Sequence, residues 1–107
     1  MNHSDLLFVY GTLRRGQKGH HVLAGARYVR AAVTMNHYTL ATVSSYTGLM
    51  RMPRGATSGS GVPGELYQLT FAQLERVDEW EGTNYLRRLV DLKGGDRAWS
   101  YFFRVQE

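Results

Sequence analysis

Two short segments, far apart in the chain, hold residue types that together suit acid–base chemistry on a small anion. Tyr10-Gly11-Thr12-Leu13 closes an apolar run near the N-terminus. A glycine directly after a strand lets the backbone turn sharply and approach a ligand, so the next N–H groups can cradle a carboxylate or an oxyanion. Near residue 80, Asp78, Glu79 and Glu81 surround Trp80 ahead of Gly82. Asp78 and Glu81, three positions apart, share a helical face, and Glu79 points elsewhere. The negative end of the helix dipole, repulsion from Asp78 and desolvation beside Trp80 would each raise the pKa of Glu81, which suits proton transfer near neutral pH. The plainer alternative is an ordinary acidic helix end, solvated or paired with Arg76, Arg87 or Arg88.

Other chemistries are poorly served. The four histidines are His3, His20, His21 and His37. Adjacent histidines do not share a helical face, and no third ligand falls at a useful spacing, so no metal is expected. Ser44-Ser45 and Ser58 lack a nucleophile signature. There is no cysteine, which excludes disulfides, thiolate ligands and a thiol nucleophile. Gly11, Gly16 and Gly19 do not fit the nucleotide-binding patterns, and no Gly-Lys-Ser/Thr is present.

The elements that must position these residues are legible in outline. Leu6 to Tyr10 reads as a strand, Thr12 to Gly19 as an exposed loop and His20 to Ala24 as a helical turn. Tyr28 to Thr34 and His37 to Val43 are rich in β-branched and aromatic residues, with Met35-Asn36 as a turn between them. Leu49 to Met52 is a further short strand. Pro53 to Gly61 has the composition of a flexible loop, either a lid or a loose surface segment. Val62 to Leu69 resumes the strand pattern. Thr70 and Gln73 make a capping box for a helix whose apolar stripe is Phe71, Leu74 and Val77, and Gly82 is placed to end it. Leu86 to Leu92 and Ala98 to Val105 are two final strands joined by Lys93-Gly94-Gly95-Asp96. Along the last strand Tyr101 and Phe103 fall on one face and Phe102 on the other, so one set faces the core and the other is free to line a pocket. Six or seven strands and one main helix make an α+β domain on a curved sheet or small barrel, a single domain over residues 1–107.

Composition narrows the setting. Thirteen Lys and Arg against nine Asp and Glu give a net charge of +4, and eleven of the cations are arginine. They are scattered from Arg14 to Arg104 with only Arg14-Arg15 and Arg87-Arg88 adjacent. A nucleic-acid binder needs a continuous basic face, so none is expected as a partner, whereas an anionic small molecule fits. No stretch reaches the ~20 apolar residues of a membrane span, and no signal-peptide core is seen, so the expected location is cytoplasmic with no membrane partner.

Several segments resemble one family in order and spacing. Phe8-Val9-Tyr10-Gly11-Thr12-Leu13-Arg14-Arg15-Gly16-Gln17, followed by His20 and Leu23, resembles the opening of the γ-glutamylcyclotransferase-like superfamily. The branch in question holds γ-glutamylamine cyclotransferase, the plant AIG2-like proteins and small bacterial relatives. Gly64-Glu65-Leu66-Tyr67 resembles the strand before the family's helix, Val77-Asp78-Glu79-Trp80-Glu81-Gly82 its Leu-Asp-x-x-Glu-Gly motif, and Tyr85-Leu86-Arg87 its Tyr-x-Arg. The resemblance implies a small mixed β-barrel flanked by helices with a cavity at one end. It also implies an enzyme that needs no cofactor, expelling an amine from a γ-glutamyl compound as the glutamyl part closes into 5-oxoproline.

Carried over residue by residue, Glu81 becomes the catalytic general base and then general acid. Tyr10, Gly11, Thr12 and Leu13 become the loop that grips the glutamyl moiety. Asp78 takes a structural or pKa-setting role, and Arg87 braces the Glu81 region. Gly19 stands where relatives often carry Asn, Tyr46-Thr47-Gly48 where they carry Tyr-Pro or Phe-Pro before a small residue, and Val77 replaces a Leu. These departures leave the leaving amine open, and the sequence leaves the oligomeric state open too. The rival reading is a non-catalytic module on the same fold that holds an acidic metabolite at Tyr10–Leu13.

Overall fold

The apolar run before Gly11 is strand β1 (Leu6–Val9), and every residue of it is buried because it lies inside the sheet with cores on both faces. The computed structural model describes residues 5–56 and 59–104. His3, Ser58, Val105 and part of the Pro53–Gly61 loop lie outside the described residues. After β1 come a 3-10 turn, His20–Leu23, and strands β2 (Arg27–Val33), β3 (Tyr38–Val43), β4 (Tyr46–Arg51) and β5 (Pro63–Gln68). Helix α1 (Phe71–Glu81) and strands β6 (Tyr85–Asp91) and β7 (Arg97–Phe103) follow.

The strands form one mixed sheet in the order β2-β5-β1-β7-β4-β3, with β6 on the other side of β7. β7 is the hub. Its whole length pairs antiparallel with β6, from Tyr85 opposite Phe103 to Asp91 opposite Arg97. Along its other edge it meets β1 at Trp99 and β4 at Phe102, both in parallel. The α+β class is as expected, but the ladders do not close a barrel. A single bridge between Thr34 and Leu92 links the ends of β2 and β6, flanked by Met35 N–H to Asp91 O and Lys93 N–H to Val33 O, each 2.9 Å.

Alternation divides the core. Leu6, Phe8, Leu49, Leu66, Val90 and Phe102 pack on one face. Leu7, Val9, Leu13, Tyr67 and Tyr101 pack on the other, against Leu74 and Val77 of α1 and Val22 and Leu23 of the 3-10 turn. The helix is set as the capping box predicts: Gln73 N–H donates to Thr70 Oγ1 at 3.2 Å and Thr70 N–H to Gln73 Oε1 at 2.7 Å. Phe71 is 70% exposed and leaves the apolar stripe to Leu74 and Val77. Gly82, at φ 77°, breaks the helix immediately after Glu81.

Two strand expectations change. Met35-Asn36 does separate β2 from β3, but the two do not pair; β2 pairs with β5 and β3 with β4. The Leu49–Met52 segment is the second half of a longer strand beginning at Tyr46. The β3–β4 hairpin turns at Ser44-Ser45, where Ser44 sits at φ 56°. Ser-Ser is not among the usual two-residue turn pairs, so the hairpin left no signal.

Candidate active site

The C-terminal end of β1, the N-terminal ends of β4 and β6 and the last turn of α1 meet around a cavity of about 670 Å³. Tyr10, Gly11, Thr12, Leu13 and Glu81, the five residues expected at a site, all line it. One wall is the turn after β1. The N–H of Arg14 donates to Gly11 O, and that of Gly19 to Thr12 O at 2.9 Å. Among the described residues the N–H groups of Gly11, Thr12 and Leu13 find no protein acceptor, which leaves three adjacent donors for a ligand.

The turn is braced from outside the cavity. Arg15 N–H donates to Glu65 Oε1 at 2.9 Å, and the Tyr67 hydroxyl donates to the same oxygen at 3.0 Å. Burial, and then this carboxylate, push the Tyr67 phenol up to about 12, so it stays a donor at neutral pH. His20 Nδ1 donates to Leu13 O at 2.9 Å, which fixes its proton on that nitrogen. A Cβ at Gly19 would lie 3.0 Å from Thr12 O, so the loop folds back tightly there. Gly11 has no such constraint: its φ is not left-handed and a Cβ there would meet nothing. The expected turn does begin at Gly11, whose carbonyl accepts from Arg14 N–H at 3.1 Å, but it needs no left-handed glycine there.

Glu81 faces this turn from the end of α1. It is half-buried, and among the described residues its carboxyl has no hydrogen-bond or ion-pair partner. Burial raises its pKa from 4.5 to about 7. Repulsion from Asp78, expected from the spacing, does not contribute. Asp78 is instead turned away and engaged: its Oδ1 accepts from Arg87 Nε at 2.9 Å and from the Tyr101 hydroxyl at 2.5 Å. Arg87, whose guanidinium lies 4.6 Å above the Trp99 ring, thus holds Asp78 rather than Glu81.

Three phenols surround Glu81, and each gives its proton elsewhere. Tyr10 donates to Tyr101 O and accepts from Leu49 N–H at 3.0 Å. Tyr85 donates to Thr47 O at 2.8 Å, and Tyr101 to Asp78. All three are pushed up, first by burial and then in part by the nearby Glu81 charge. They close the cavity around the acid without neutralising it. The remaining wall comes from Leu40, Ser45, Tyr46 and Thr47 of the β3–β4 hairpin, with Trp80 from α1 and Arg14 and Lys18 from the loop. Tyr46 and Thr47 belong to the Tyr46-Thr47-Gly48 departure noted above, whereas Leu40 and Ser45 carried no sequence signal. Tyr101 was signalled, since the alternation on β7 leaves one aromatic set free to line a pocket.

No described cluster of three or more His, Asp or Glu is suited to a metal, and no described helix is long and apolar enough to cross a membrane.

Comparison with known proteins places this arrangement. A family profile described as "Gamma-glutamyl cyclotransferase, AIG2-like" matches residues 7–107. The chain is 31% identical to the gamma-glutamylcyclotransferase family protein YtfP of Escherichia coli K12 over 101 residues, 92% of this chain and 81% of that protein. It is 33% identical to gamma-glutamylaminecyclotransferase A of Danio rerio over 96 residues, 81% of this chain but only 58% of the zebrafish protein. Among solved structures it superposes on c4763, a uropathogenic E. coli-specific protein, with a TM-score of 0.80, 27% identity and coverage of 94% of this chain and 79% of that one. A mouse AIG2-like protein shares the fold with a TM-score of 0.74 at 24% identity, covering 99% and 81%. The chain belongs to the AIG2-like gamma-glutamyl cyclotransferase family.

Proposed function

We propose that this protein is a γ-glutamyl cyclotransferase acting on a γ-glutamyl amine or a related γ-glutamyl compound, with Glu81 as its proton-transfer residue. The observation that carries the reading is an unpartnered carboxyl held near pKa 7 across one cavity from three free backbone donors. In the reaction, Glu81 takes a proton from the substrate's α-ammonium. The freed amine attacks the γ-carbonyl carbon and closes a five-membered ring. The carbonyl electrons move onto oxygen, where N–H groups of the Tyr10–Leu13 turn stabilise the oxyanion. When the carbonyl reforms, the bond to the leaving nitrogen breaks, Glu81 returns the proton to that nitrogen, and the ring nitrogen gives up its second proton to the carboxylate so freed. The products are 5-oxoproline and a free amine. The nucleophile belongs to the substrate, so the protein's tasks are folding the chain and moving protons from the attacking nitrogen to the leaving one.

A carboxyl near 7 suits this shuttle, because one at 4 would be too weak a base for an ammonium. A pure binding pocket for an acidic metabolite gains nothing from an acid beside its ligand. The test is 5-oxoproline release from a panel of γ-glutamyl amines and dipeptides, read by mass spectrometry, with Glu81→Gln in parallel. Turnover that disappears in the variant supports the enzyme. Absence of turnover, with equal ligand-induced thermal shifts in both proteins, refutes it in favour of the binding module.

A further inference from the structure

A second cavity, of about 500 Å³, lies across the sheet from the first and shares no lining residue with it. It runs between β4 and β6 over the C-terminal half of β7. Its floor is apolar and buried: Tyr38 is 2% exposed, Leu49 0% and Phe102 8%. Its rim carries Arg51, Arg88 and Arg104, and no carboxylate lines it.

The chain neutralises other arginines. Arg15, Arg30, Arg87 and Arg97 each pair with a carboxylate. At this rim, Arg51 and Arg88 have no hydrogen-bond or ion-pair partner among the described residues, and Arg104 Nε donates only to Thr83 O at 3.0 Å. Asp91, which the Tyr38 hydroxyl reaches at 3.3 Å, is already engaged by Arg97 Nε at 2.9 Å. Among the described residues the rim therefore carries three guanidinium groups with no carboxylate partner, above an aromatic and aliphatic floor. Guanidinium forks match a carboxylate bidentately, and the volume is that of a small-molecule site.

We propose that this groove binds an aromatic carboxylate, its ring against the half-buried Leu86, Leu89 and Phe103 that line the groove beside the Tyr38–Leu49–Phe102 floor, and its head group between Arg51 and Arg88. The site is separate from the cavity holding Glu81, and the proposal does not depend on the chemistry assigned there.

The test is an amide-resolved NMR titration of the full chain with naphthalene-2-carboxylate, with naphthalene-2-methanol as the uncharged control. Saturable shifts at Leu49–Arg51, Leu86–Leu89 and Phe102–Arg104, weakened about tenfold in Arg51→Gln/Arg88→Gln, are expected from the loss of charge-assisted bonds. Both side chains are exposed, so the double variant should unfold at the wild-type temperature, and that is checked first. Equal affinity for the alcohol, equal affinity in the double variant, or shifts confined to Tyr10–Leu13 and Glu81 would each overturn the proposal. So would the absence of any saturable shift.

Discussion

Replacing Glu81 with Gln keeps the shape of the side chain and removes its titration. In the folded protein the carboxyl has a pKa of about 7 against an ordinary 4.5, with burial as the cause. A folded-state pKa raised in this way means the native state binds the proton more tightly than the unfolded one. Stability therefore falls as pH rises from the unfolded value to the folded value and is level above it. At about 1.4 kcal/mol per pH unit, the wild type should lose about 1 kcal/mol by pH 5 and about 3 kcal/mol by pH 8 from this group alone. Gln carries no such penalty. The stability of Glu81→Gln relative to wild type should thus improve by about 2.5 kcal/mol between pH 5 and pH 8, the other titrating groups cancelling in the difference. Urea unfolding of both proteins at the two pH values measures it, with m-values checked for equality. A difference that does not change with pH, or one that moves in the opposite direction, would show that the Glu81 carboxyl is hydrated or paired and would remove the physical basis for its role as a base.

Three other perturbations follow from the same geometry. For any accepted γ-glutamyl substrate, kcat/KM should rise with pH through about 7 as Glu81 loses its proton; a rising limb below pH 5 would point to an unperturbed carboxylate. Gly11→Ala should leave urea stability within about 0.5 kcal/mol, since the new Cβ meets nothing, yet cut turnover at least about tenfold by projecting into the cavity. Unchanged turnover would separate Gly11 from the substrate. Gly64→Ala should destabilise by about 2–3 kcal/mol, because its Cβ would lie 2.3 Å from Val9 O and 2.7 Å from Phe8 Cζ; a neutral effect would mean that β1 and β5 separate easily.

The parts of the molecule that were legible from sequence are those written in local spacing. The capping box at Thr70, the cap at Gly82 and the strand ending at Tyr10 depend on neighbours a few residues away, and each formed where expected. The raised pKa of Glu81 was anticipated with part of the wrong cause. A separation of three positions between Asp78 and Glu81 implies repulsion only if both carboxylates face the same medium, and the sequence could not show that Arg87 and Tyr101 engage Asp78. The pairing of β2 with β5 rather than β3 was equally hidden, since both partners offer suitable strand patterns and the choice is made by the whole sheet. The hairpin wall of the cavity rests on Ser44-Ser45, a turn with no distinctive composition.

That hairpin is attached in an unusual way. The β3–β4 pair meets β7 at one register position, Leu49 opposite Phe102, and is otherwise tied down by phenols: Tyr10 between Leu49 N–H and Tyr101 O, Tyr85 on Thr47 O, and Tyr38 accepting from Asp91 N–H. Glu81 and the Tyr10–Leu13 turn sit on elements embedded in the core, while Ser45, Tyr46 and Thr47 sit at the tip of that arm. On the function proposed above, the arm's tip can be exchanged for other residues in amine selection without disturbing Glu81 or the turn. Tyr10 is the rivet between the two halves, and drift in selectivity should stop there.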